Sequence, residues 1–142
     1  MQLSKALERL HSVRKIEEQQ QEAELNEVTA ELYRLRGMLD RVHQRIETAR
    51  ALASASIGNG MIEDRFSALE ETVLLGRLAT VLVKKVKLAD QRLLEARAQL
   101  LAKRIERRQV ETLLDAAQRQ VEKDENRKSQ QSLDEWYRLR RV

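Results

Sequence analysis

Two histidines, 23 carboxylates and 27 lysines and arginines are what this 142-residue chain offers for acid–base or metal chemistry, and it has no cysteine. His11 and His43 lie about 48 Å apart if they share one helix. They cannot hold one metal between them, and neither has a Cys or second His at ligand spacing. The carboxylates sit in charged runs rather than in a cleft able to shift a pKa. The "GNG" at 58–60 lacks the strand, the Lys and the Ser or Thr of a phosphate-cradling loop. No catalytic constellation, no metal site and no cofactor are expected, and the chain reads as a non-enzyme. Two stretches suit recognition instead: the densest basic run, "KRIERR" (103–108), and an aromatic-bearing tail, "LDEWYRLRR" (133–141).

The elements that carry these stretches must be helical. The composition is 35% charged and 3% aromatic, with no proline and only four glycines, a profile of long helices or coiled coils. From Leu25 the apolar positions run Leu25, Val28, Leu32, Leu35, Leu39, Val42, Ile46, Ala49 and Ala53, in alternating steps of three and four that keep one stripe on one helix face. Extended backwards, that register lands on Gln21, Glu18 and Arg14, whereas the first residues prefer Leu3, Leu7 and Leu10. A register slip across "IEEQQQEAE" is therefore expected. A second stripe runs Leu75, Ala79, Leu82, Val86, Ala89, Leu93, Ala96 and Leu100, crosses Lys103 and Arg107, and resumes at Val110, Leu114, Ala117 and Val121. Two readings of the cations at its weak point stand side by side: long side chains reaching out to solvent, or a partner-binding patch made of Lys103, Arg104, Arg107 and Arg108.

Gly58 and Gly60 around Asn59 form the one strong break. Gly58 suits the left-handed position that ends a helix. Asn59 or Gly60 can cap the next, with Glu63 and Asp64 in its first turn favoured by the helix dipole. The expected architecture is all-α and one elongated domain over 1–142: helix 1 at about 2–55, a turn at about 56–61 and helix 2 at about 62–140. A short loop between two one-sided helices favours an antiparallel coiled-coil hairpin. Folding about Asn59 sets residue i opposite roughly 117 − i. That places the acidic block Glu17, Glu18, Glu22, Glu24, Glu27 and Glu31 beside Lys84, Lys85, Lys87, Arg92 and Arg97. Helix 2 is the longer, so residues beyond about 115 overhang without an intramolecular partner. Leu133, Trp136 and Tyr137 lie there, either as anchors for a protein partner or as a frayed tail or self-association seam.

Charge is unevenly spread: residues 1–83 carry 11 basic and 13 acidic side chains, residues 84–142 carry 16 and 10. The basic half has no interleaved aromatics, so no nucleic-acid partner is expected. The apolar run at 72–83 holds Arg77 and is well short of the ~20 residues that span a bilayer. With no signal-peptide pattern at the start, a soluble, cytoplasmic protein without membrane insertion is expected.

Two local patterns are more specific. One is "IGNG" followed by Arg65 and Phe66. The other is "ENRKSQQSLDEWYRLR" (125–140), with Arg127, Gln130, Leu133, Asp134, Glu135 and Trp136 in the spacing Arg-x-x-Gln-x-x-Leu-Asp-Glu-aromatic. Together with the unequal arms they resemble the flagellar FliJ family of the type III export apparatus. The resemblance implies an antiparallel coiled-coil stalk, similar to the gamma subunit of rotary ATPases. It implies as partners the hexameric export ATPase with its regulator, the export-gate membrane protein and export chaperones, at the inner face of the cell membrane. Gln130, Leu133, Asp134, Glu135, Trp136 and Tyr137, with the 103–108 cations, are the candidate ATPase contacts. At the family's gate-contacting positions stand Thr72, Gly76, Ala79 and Val83, of which Ala79 alone keeps the family's residue type. The neighbouring Val73, Leu75, Leu78 and Val81, with Ala79, form the candidate gate-contacting set. A generic coiled-coil scaffold or chaperone, and the equivalent stalk of a virulence-type injectisome, are the alternatives.

Overall fold

The computed structural model describes residues 2–59 and 62–141. They form two helices, α1 (Gln2–Asn59) and α2 (Ile62–Arg141), of 58 and 80 residues, and no strand among the described residues. The helices pack antiparallel, and α2 is the longer. Glu63 and Asp64 occupy the first turn of α2 and Arg138, Arg140 and Arg141 its last, each matched in sign to the helix dipole. Hydroxyls inside the helices are satisfied locally: Thr29, Thr48, Thr72, Thr80 and Thr112 each donate to the carbonyl four residues back, which lets these β-branched residues sit mid-helix.

α1 runs past its expected end near 55 to Asn59, taking Gly58 and Asn59 into the helix. Asn59 is thus the last residue of α1 rather than the cap of α2, and Gly60 lies outside the described residues. With α1 ending at Asn59 and α2 starting at Ile62, the mirror point moves a little toward the C-terminus. Cross-helix ion-pair partners accordingly have numbers that sum to between 116, for Arg45 with Glu71, and 126, for Arg36 with Asp90. The acidic block of α1 is divided by this shift. Glu17, Glu18 and Glu22 meet Lys103, Arg104 and Arg107, while Glu31 feels Arg92 and Lys85.

The chain divides into two compact units, residues 23–98 and residues 1–22 with 99–142. In the first, Leu32, Leu35, Val42, Leu75, Ala79, Leu82 and Ala89 form the core, flanked by Met38, Leu39, Ile46, Val86 and Leu93. Leu82, 2% exposed, is its best-covered residue. The burial follows the three–four alternation on both helices, as the apolar stripes require. Alanines at Ala49, Ala53, Ala68, Ala79, Ala89 and Ala96 are buried among the larger residues. They carry no side-chain bulk, so the two backbones can approach closely.

In the second unit the same alternation continues along α1 as half-buried positions, through Gln21, Glu18, Arg14, His11 and Leu7. The expected register slip does not occur: Leu3 and Leu10 are exposed, with Val13 and Ile16. A continuous helix keeps its phase, and the polar residues that fall on the seam find partners of opposite charge there. On α2, Leu100 and Val110 are buried and Leu114 and Ala117 half-buried, whereas every described residue from Gln118 to Arg141 is exposed.

Candidate partner-binding surfaces

The first half of α2 has apolar residues nearly all round, although α1 covers only one of its faces. Leu75 and Ala79 point into the seam and are buried, while Val73, Leu78 and Val81 are exposed. The candidate gate set is therefore divided, with three residues presented outward and two covered. Beside the outward three stand Phe66, Leu69 and Leu74. Phe66, Leu69, Val73 and Leu74, with Glu70 and Arg77, line a shallow open concavity on this helix. A helix apolar on all sides is ordinarily covered on all sides, and contiguous exposed apolar surface marks an interaction site. Arg65, from the turn motif, is exposed.

The basic run lies against α1. Arg107 pairs with both Glu18 and Glu111. Arg104 reaches Glu18 at 3.3 Å and Glu22 at 3.4 Å, and Lys103 reaches Glu17 at 3.5 Å and Glu106 at 3.6 Å. Arg14 of α1 bridges Glu17 and Glu106 at 3.1 and 3.0 Å, and His11 Nε2 lies 3.0 Å from Glu111 Oε1. Gln21 donates to Gln99 at 2.9 Å. The side chains of Glu18 and Arg107 are 12% and 21% exposed, and Arg14 Nε is buried without a hydrogen-bond partner. The Arg14 hydrogen bond, helped by Lys103, holds the Glu17 carboxyl below its ordinary value. Hydrogen bonds from His11 and Arg107 do the same for Glu111. Bonding to Glu111 and Glu18 raises Arg107. Arg108, the remaining cation of the run, is exposed.

On the tail, Leu133, Trp136, Tyr137 and Arg140 follow the i, i+3, i+4, i+7 spacing that brings residues onto one helix face. The Trp136 and Tyr137 rings meet edge to face, with centroids 5.3 Å apart and planes at 76°. The Arg140 guanidinium lies 4.7 Å from the Trp136 ring centroid, a cation–π contact. Gln130, Asp134 and Glu135 are exposed around this cluster, and Asp134 and Tyr137 border a shallow concavity with Arg138 and Arg141. The segment is helical through Arg141.

In the sequence His11 stood out only as a metal-ligand candidate that fails, and Glu106 and Glu111 did not stand out. The signal was the Leu25 register itself, which reaches His11 and Arg14 when carried backwards unchanged. Among the described residues no group of three or more His, Cys, Asp and Glu is gathered to hold a metal. No described helix is long and apolar enough to cross a membrane.

An antiparallel pair of long helices packed along three–four stripes defines a coiled-coil hairpin protein. The profile of one such family, described as Flagellar FliJ protein, matches residues 4–141. The chain belongs to the FliJ family, and is thereby a flagellar export-related protein of a non-catalytic family. No curated protein and no solved structure matches it.

Proposed function

We propose that this chain is a central-stalk-like component of the flagellar export apparatus, joining the hexameric export ATPase and its regulator to the export-gate membrane protein. In this reading the tail, through Leu133, Asp134, Glu135, Trp136 and Tyr137 with Gln130, enters the ATPase ring. The outward face of α2, through Val73, Leu78 and Val81 with Phe66, Leu69 and Leu74, meets the gate. Arg108, about 38 Å before Leu133 along the helix, adds an exposed cation on the same arm. Escort of export chaperones and a peripheral position at the inner face of the cell membrane go with the same reading. The observation that carries it is the unpartnered end of α2: burial stops at Ala117, yet the sole tryptophan and its stacked Tyr137 and Arg140 lie beyond. A half-exposed Trp in an ordered cluster is a favoured anchor for a protein surface.

The test uses that single Trp. Adding the hexameric export ATPase to the full chain is expected to shift Trp136 emission to shorter wavelength as the ring loses water. Truncation after Ala117 is expected to abolish binding while the circular dichroism of the remaining hairpin survives. A truncated chain that still binds the ATPase as well as the full one overturns the tail's role.

A further inference from the structure

The two units are held by different forces, and the charged one carries a consequence for binding. Along α1 the seam positions His11, Arg14, Glu18 and Gln21 are all polar, and they face Gln99, Lys103, Arg107 and Glu111 of α2. Three to four successive layers of the seam thus contain mainly charges and amides, where residues 23–98 have Leu, Val, Ile and Ala. Ion pairs at this degree of exposure are screened by salt. The layer is also imperfect, since Arg14 Nε is buried and unpartnered, and an unmade hydrogen bond of a buried donor is unfavourable. Meanwhile Leu3, Leu10, Val13 and Ile16 of α1 remain exposed, so this part of α1 gives up apolar burial to stay in register with the cations.

We propose that residues 11–22 of α1 are a displaceable internal occupant of a docking site on α2, and that the site takes an acidic amphipathic helix of a partner protein. The occupant in place defines the chemistry. Lys103, Arg104 and Arg107 are met by carboxylates at positions 17, 18 and 22. Leu100 and Val110 bracket the cations with buried apolar contacts. An incoming helix with carboxylates at i, i+1 and i+5 and apolar residues at the seam positions that here hold His11 and Arg14 matches both parts. It would bury apolar surface where α1 buries none, which gives it the advantage needed to compete with a tethered segment. The surface is cationic, and charge complementarity selects its occupant.

The experiment exploits the absence of cysteine in the chain. Gln21→Cys with Gln99→Cys, at positions whose Gln side chains meet at their tips, is bridged by a bismaleimide with a disulfide in its spacer, which spans the gap that two shortened side chains leave; the seam is locked while the spacer is oxidised and freed when it is reduced. The probe is a fluorescein-labelled helical peptide with the sequence of residues 11–24 in which His11 and Arg14 are replaced by Leu. The reduced full-length chain is expected to bind it, and the oxidised chain to lose at least tenfold in affinity. Glu18→Lys, which sets a like charge against Arg104 and Arg107, is expected to tighten peptide binding at least tenfold over the unsubstituted chain. Independently of any variant, the amides of residues 8–22 are expected to exchange hydrogen faster than those of residues 32–49. Raising salt from 50 to 500 mM should speed the first set alone. Equal affinity of oxidised and reduced chains overturns the proposal, as does salt-independent exchange in 8–22. Should Glu18→Lys associate with itself rather than with the peptide, the occupant is a second copy and the proposal fails.

Discussion

Leu74 and Leu75 are neighbours of one type on opposite sides of the working surface, 64% and 7% exposed, and truncating each to Ala separates the seam from the outward face. Leu→Ala removes three carbon groups, worth about 0.8 kcal/mol each when fully buried, so about 2.2 kcal/mol is lost at Leu75 before any cavity is counted. The cavity term brings the expected cost to about 2–4 kcal/mol, at the lower end because a two-helix seam can close on the gap. At Leu74 only about a third of the side chain is covered, giving about 0.9 kcal/mol, which the better helix propensity of Ala reduces by a few tenths. The two variants should therefore differ by about 1.5–3 kcal/mol in urea unfolding followed by circular dichroism, with unchanged slope. Binding to a soluble fragment of the export-gate protein is expected to show the reverse order. Leu74→Ala should bind weakly at full stability, and Leu75→Ala should bind normally under conditions where it is folded. Equal losses of stability in the two variants would mean that α2 is rotated from the register described here, and the outward apolar face would no longer exist as such.

Gly37 and Gly76 lie inside helices with nothing within 4 Å of an added Cβ, so Gly37→Ala and Gly76→Ala should each stabilise by about 0.5–1 kcal/mol, additively in the double variant; a higher urea midpoint checks this. Replacing Lys103 and Arg107 by Leu alone should lower the thermal midpoint, because Glu17 and the well-covered Glu18 each lose one of two cationic partners; adding Arg14→Leu and Glu18→Leu should raise it above the unsubstituted chain. Glu17, faced by Arg14 and Lys103, and Glu111, faced by His11 and Arg107, are both held below the ordinary value of 4.5 in the folded chain. Their contribution is complete above that value and is lost as the pH falls through the lowered one. Hydrogen exchange in residues 8–22 should therefore accelerate below about pH 4.5 more than in residues 32–49.

Both helices, the antiparallel pairing and the overhang were legible in the sequence because a three–four alternation of Leu, Val, Ile and Ala states a face directly. The register of residues 4–21 was not. Leu3, Leu7 and Leu10 advertise a different stripe, and hydropathy does not record that a Glu on one helix can be matched by an Arg on the other. The C-terminal end of α1 and the mirror point were off by a few residues for a related reason. Gly58 permits a helix to stop but does not force it to, and a small displacement of the fold point re-pairs every charge across the seam. At the candidate surfaces, the stripe through Leu75, Ala79 and Leu82 already marked the face toward α1 and these residues are buried, so Leu75 and Ala79 could not also stand outward in the candidate gate set. Leu75 and Leu78 are indistinguishable by type, and the phase of the seam assigns one inward and the other outward.

The distribution of polar and apolar seam positions also bears on why the gate-facing surface is proposed on the first half of α2. Between residues 23 and 55, α1 has its large apolar residues mainly on the face buried against α2; Tyr33 and Leu52 are its exposed large apolar residues there. α2 must satisfy α1 with one stripe and still presents Phe66, Leu69, Val73, Leu74, Leu78 and Val81 outward. Burying a Leu or Val stabilises by about 1.5–3 kcal/mol, so a chain that leaves six such groups in water gives up much of what could have thickened its own core. A second helix covering that face would be the direct intramolecular solution, and the chain has no third helix among its described residues. In the proposed reading another protein supplies that cover, and it gains its affinity from the same apolar area that the hairpin leaves exposed. That is the physical basis for expecting Leu74→Ala to weaken a complex while leaving the hairpin nearly as stable as before.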